Sequence, residues 1–115
     1  MTPESVKAEY ARFLREAVYV RRYTGTGTNR PRFDAKARAR VVGYDEKDLV
    51  GGGIVQGDRK AIVYVDDLIA NGLTLPVTTS DKLVVRGKEL AIIAPDDSTR
   101  RVDGVLIALE LQVRG

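Results

Sequence analysis

The chain has 115 residues, a net charge of +3, no cysteine and no histidine. One domain of this size can bury a core without staples; lacking those two residue types, a single chain has no disulfide, no thiolate or imidazole metal site and no Ser-His triad. The apolar runs fall far short of the ~20 residues that span a bilayer, and the opening Met1-Thr2-Pro3-Glu4 lacks the regions of a signal peptide, so a soluble, intracellular, unprocessed protein is expected.

The first element in chain order is a helix over 2–17. Thr2 can cap it, Pro3 suits its first position and Glu4 its first turn. Val6, Tyr10, Phe13, Leu14 and Ala17 then form one apolar stripe, on a helix ~23 Å long. That stripe suits packing on a sheet, and equally a role in assembly.

From residue 18 the period becomes two. Val18, Val20 and Arg22 alternate with Tyr19, Arg21 and Tyr23 as a first strand, and residues 24–32 read as a flexible hairpin tip. In the next strand Phe33, Ala35, Ala37, Ala39 and Val41 share one face, and Asp34, Lys36, Arg38 and Arg40 the other. A buried face made mostly of alanine suits close backbone approach inside a small barrel.

Residues 45–58 have no periodicity and contain three consecutive glycines. A strand over 60–65 follows. Residues 66–72 read as a short helical turn, with Asp66 and Asp67 placed to cap it and Gly72 to stop it. Residues 82–85 and 89–93 flank a tight Arg86-Gly87-Lys88 hairpin. Residues 96–99 make another turn, and residues 105–113 read as one long strand with Val105, Ile107, Leu109, Leu111 and Val113 on one face. The expected fold is mainly β: a single domain over 1–115, formed by a small antiparallel barrel or sandwich of about six strands over 18–115, with one N-terminal helix and a long glycine-rich loop.

Charge is distributed unevenly. Residues 15–40 hold eight basic and two acidic side chains, whereas residues 41–115 hold nine basic and twelve acidic. A molecule with one basic and one acidic side can stack head to tail with copies of itself or with neighbours; a solvated surface with chance segregation is the plainer alternative.

Several stretches invite a chemical reading. Residues 52–57, "GGIVQG", fit the opening of a phosphate-binding P-loop, but Asp58 and Arg59 stand where Lys and Ser or Thr are required, and a strand follows in place of a helix. Gly25-Thr-Gly27 opens like a dinucleotide fingerprint, yet Arg30 replaces the third glycine. The pairs Asp66-Asp67 and Asp96-Asp97 can bind divalent metal, although adjacent aspartates in turns more often serve as caps and Asx-turns. Neither pair has a partner that would define a mechanism, and no catalytic residue, cofactor or metal is expected. Lys36, Arg38 and Arg40 recur at ~6.7 Å along one strand face, with Arg21 nearby. They form a candidate basic interaction face that can follow phosphates, with Tyr19 and Tyr23 as stacking platforms.

Three stretches carry a family resemblance: "VYVRRYTGTGTNRPRFDAKARARVVGY" at 18–44, "GGGIVQGDRKAIVYVDDLIANGLTLPVTTSDKLVVRGKELAII" at 51–93, and "VLIALELQVRG" at 105–115. In pattern and order the chain resembles the head–tail joining (head-closure, stopper) proteins of tailed bacteriophages and prophages. The resemblance implies a structural β-barrel of the virion neck, assembled in the bacterial host cytoplasm. Copies would form a ring below the portal and adaptor proteins, close the channel on packaged DNA, and present a docking surface to tail proteins. It also implies that the loop at 45–58 points into the channel. Leu49, Val50, Gly51, Gly52, Gly53, Ile54 and Val55 are then the candidate channel and assembly residues. Glycines there free the backbone, and a folded-back loop of this length reaches ~23 Å. A loop packed on its own barrel is the alternative. The N-terminal helix departs from the simplest pattern of the family. No membrane and no small-molecule substrate are implied. The runner-up reading is a stand-alone nucleic-acid-binding small barrel.

Overall fold

The computed structural model describes residues 2–49 and 53–115. Its elements in order are α1 (Pro3–Phe13), β1 (Glu16–Tyr23), β2 (Arg32–Gly43), a 3-10 turn (Glu46–Leu49), β3 (Arg59–Tyr64), α2 (Val65–Ala70), β4 (Lys82–Val85), β5 (Lys88–Asp96), β6 (Arg101–Val102), β7 (Val105–Leu106) and β8 (Ala108–Arg114). Six strands close a barrel in the order β1-β2-β3-β8-β5-β4, every neighbouring pair antiparallel, while β6 and β7 form a separate hairpin. The mainly β barrel with an N-terminal helix is as the period-two pattern predicts.

The inner faces of the strands make one core. Val18, Val20, Ala35, Ala37, Ala39, Ala61, Val63, Leu83, Val85, Leu90, Ile92, Leu109, Leu111 and Val113 are all buried in a single cluster. The three alanines of β2 stand across the lumen from β5, whose Leu90 and Ile92 supply the volume that alanine lacks. Alternating strand directions give the barrel two distinct ends. The β1–β2 turn, α2 with the segment 71–81, and residues 97–107 lie at one end. The α1–β1 junction, the loop 44–58, the β4–β5 turn and the C-terminus lie at the other.

The first end is stoppered. Val65 and Leu68 of α2, with Leu73 and Val77 after it, belong to the core cluster. Gly72 ends the helix at a φ of 90°, and Leu73 N–H returns to the Leu68 carbonyl at 2.9 Å, an arrangement that favours glycine.

On the outer wall α1 covers β3 and β8. Leu14, Ile62, Tyr64 and Ala108 form a second buried cluster, with Tyr10 and Ala11 packed on it. Residues 61–64 are therefore buried on both faces. Thr2 caps α1 by accepting from Ser5 N–H at 3.2 Å, and Ser5 closes the capping box.

Three boundaries differ from expectation. The helix stops at Phe13, not 17: Leu14 turns extended as C-cap, and β1 starts at Glu16, opposite Ala39. Ala17 therefore sits exposed in a strand, because the ladder to β2 outweighs the last half-turn of the apolar stripe. The long final strand is two: β7 pairs with β6, the chain turns at Ile107, and β8 joins the barrel. Ile107 carbonyl accepts from Val65 N–H while its own N–H reaches Arg100, so tertiary bonds draw it out of the ladder. The loop also holds a 3-10 turn at Glu46–Leu49 that the aperiodic sequence does not announce.

Candidate functional site

The glycine-rich loop leaves β2 at one barrel end. Leu49, half-buried, closes the 3-10 turn. Val50, Gly51 and Gly52 lie outside the described residues. Gly53 has a φ of 78°, Ile54 is half-buried and Val55 is 48% exposed. The returning limb is tied down by a residue that the sequence reading treats only as an argument against phosphate. Asp58 is 4% exposed. Its carboxylate accepts from Arg114 Nε at 2.7 Å and Nη2 at 2.9 Å, from Gln112 Nε2 at 2.9 Å and from Val55 N–H at 3.1 Å. Gln112 also donates to the Gly53 carbonyl at 2.8 Å. Residues 53–58 are thus a turn fastened to the end of β8. Arg114 above all, with Val55 N–H and Gln112, holds the Asp58 carboxyl well below the usual carboxylate range, against the opposing effect of burial.

Asp81 repeats the device at the other end. It is 2% exposed and takes Arg22 Nε and Nη2 at 2.9 Å each, plus Thr78 N–H at 2.9 Å. Arg22 also donates to the carbonyls of Thr74 and Pro76, fixing the segment that crosses the barrel mouth. Each aspartate directly precedes a strand and accepts from the residue three before it. The sequence signal was therefore present in "VQGD" and "TTSD", as turns whose closing carboxylate needs a later cation.

The four residues of the candidate basic face lie on one outer wall, but two of their charges are met within the chain. Cross-strand pairing puts Arg21 opposite Asp34 and Tyr19 opposite Lys36, so Arg21, Lys36, Arg38 and Arg40 share the outer wall. Arg21 is bidentate to Asp34 at 2.9 and 3.1 Å and reaches Glu89 at 3.2 Å. Arg38 is bidentate to Asp67 at 2.8 and 2.9 Å and lies over Tyr64. Arg40 lies 4.9 Å over the exposed Phe13 ring. Among the described residues only Lys36 and Arg40 of the four have no carboxylate partner. They are separated by Arg38, whose charge is met within the chain.

The acidic pairs have structural work. Asp66 meets Lys7 of α1 at 3.1 Å. Neither Asp66 nor Asp67 caps α2: the N-cap is Tyr64, without a side-chain bond, because the helix starts two residues earlier than a cap at Asp66 needs. Asp67 instead accepts Arg38 N–H at 2.9 Å. Asp96 closes an Asx-turn, accepting from the Thr99 hydroxyl and from Ser98 and Thr99 N–H, which lower its pKa. Among the described residues no group of three or more carboxylates gathers to hold a metal, and no helix is long and apolar enough to cross a membrane.

No family model, curated protein or solved structure matches the chain.

Proposed function

We propose that the chain is a structural, non-enzymatic protein of a phage or prophage neck. Copies form a ring below the portal, close the DNA channel and offer tail proteins a docking surface. One observation carries this reading: the glycine-rich loop sits at one end of a closed, filled barrel, its returning limb anchored through Asp58 while Val55 remains exposed. An anchored turn that still exposes an apolar side chain suits a segment whose partners lie outside its own barrel. Many of the charged side chains around the barrel, Arg21, Arg22, Arg38, Asp58 and Asp81 among them, are met within the chain, and the resemblance over 18–115 supplies the neck context. The runner-up, a barrel binding nucleic acid alone, is disfavoured because Arg21 and Arg38 already have carboxylates.

The test is reconstitution. Heads assembled without this chain should leak DNA and fail to join tails, and purified protein should restore both. Restoration by buffer alone would remove the reading. Free duplex DNA titrated at rising salt separates the runner-up, which requires strong binding with a steep salt slope.

A further inference from the structure

We infer that copies of this chain join head to tail through two surfaces at the stoppered end: the open edge of β2 beside α2 on one copy, and the β6–β7 hairpin on the next. The inference deepens the ring reading, and rests on it, by naming the surfaces that meet.

The first observation is an unfinished strand edge. β3 pairs with β2 only from Ala39 to Gly43. Beyond that point α2 and the residue after it stand in for a strand, Asp67 accepting Arg38 N–H and Asn71 donating to the Lys36 carbonyl at 2.7 Å. Residues 32–35 have a strand partner on the β1 side alone. An edge without a strand partner is a template for another chain, although Gly72 lies against the Phe33 ring there.

The second observation is where apolar surface remains. Phe33 is 42% exposed on that edge and Ile69 55% on α2, while Val105 is 39% exposed on the hairpin. The two sides thus present the apolar centre of an interface.

The third is charge. Among the described residues, Arg30 and Arg32 pair with no carboxylate, and Asp97 and Asp103 pair with no cation. Each set flanks its own apolar residues. Both supports are braced by bonds within the chain. Arg21 and Arg22 root the β1–β2 hairpin as described, and Arg30 lies 4.3 Å over Tyr23. Arg101 clamps the other hairpin by donating to the carbonyls of Asp97 and Gly104 at 2.8 Å each. Pre-ordered surfaces lose less entropy on docking.

Topology supplies the geometry. β1–β2 and β8–β5 stand on opposite walls of the barrel, and both turns rise from the same end. Contact between opposite walls at one height is heterologous: it leaves a free surface on each side and closes when the rotation between copies completes a circle.

Charge exchange tests this. One chain carries Arg30→Glu and Arg32→Glu. A second carries Asp97→Lys and Asp103→Asn, asparagine keeping the left-handed turn at residue 103, where φ is 50°. Thermal melts check that both fold. In sedimentation at hundreds of micromolar and low salt, the parent should associate, and each variant should lose at least about tenfold in association constant. An equimolar mixture should regain it, since each interface in an alternating ring is again complementary. Variants that associate like the parent, a mixture that stays monomeric, or a parent monomeric throughout would overturn the inference. Duplex DNA bound by the parent and lost in the arginine variant, with association unchanged, would assign the arm to nucleic acid and overturn it too. Heads that both variants seal and join normally would overturn this interface while leaving the neck reading intact; failure of the parent to restore heads would overturn that reading instead.

Discussion

Single residues divide into those that fill the barrel and those that tie its ends. Leu109 is 2% exposed within the core cluster, so Leu109→Ala should lower stability by roughly 2–5 kcal/mol in denaturant melts, through lost transfer energy and a cavity. Its neighbour Glu110 points outward to Arg100 at 3.0 Å and Lys60 at 3.6 Å; Glu110→Ala should cost about 1 kcal/mol or less. Equal losses would overturn the facing of β8. Asp58 makes a different prediction. Its folded pKa lies below its unfolded value, so its contribution is fully present above about pH 4 and disappears as pH falls through the folded value. Asp58→Asn should therefore be less stable than the parent at neutral pH and should lose less stability between about pH 4 and 2. Parallel acid melts of the two proteins would refute the role. Leu109 was legible in the sequence because period two marks a face. Asp58 was legible only as the end of a local turn: its partners Gln112 and Arg114 lie more than fifty residues away, and no local pattern reveals a pairing that exists only when β8 returns beside β3.

At the scale of elements, local signals succeeded where one interaction dominates and failed where two compete. The Arg86-Gly87 turn, with φ of 49° and 80°, is the short hairpin that its residues predict. The β2 strand follows its alanine alternation from Ala35 to Arg40, but Phe33, expected on the buried face, lies beyond the core at the barrel end and is exposed. The helix end and the break at Ile107 were hidden because the apolar pattern runs on unbroken while hydrogen bonds to distant strands decide the boundary. The same competition gives Asp66 and Asp67 roles other than capping. Asp67 links α2 to the edge of β2, so Asp67→Ala should release that edge while the barrel stays folded. The expected outcome is faster hydrogen exchange at the Arg38 amide, by at least about tenfold, with little change at Val63 on β3. Unchanged exchange at Arg38 would show that α2 is held by its buried Leu68 and Val65 alone.

For the whole molecule, the barrel and the loop can be separated in energy. The core closes without the loop: all six strands pair with two neighbours, and the stopper of α2 lies at the opposite end. Of the loop, the limb at 53–58 is fastened to β8. What that limb leaves for a partner is the exposed Val55 side chain. Deleting Gly51 and Gly52 while keeping Gly53, whose carbonyl receives Gln112, should therefore leave the fold within about 1 kcal/mol of the parent, because closure entropy changes slowly with loop length. If the loop seals the channel, the same deletion should give heads that incorporate the protein but leak DNA or reject tails. Thermal melts and DNA retention measured on one preparation decide between the alternatives. A large loss of stability would place the glycines in the folding unit. Intact stability with normal retention and normal tail joining would remove the loop from the channel and leave the barrel wall as the working surface.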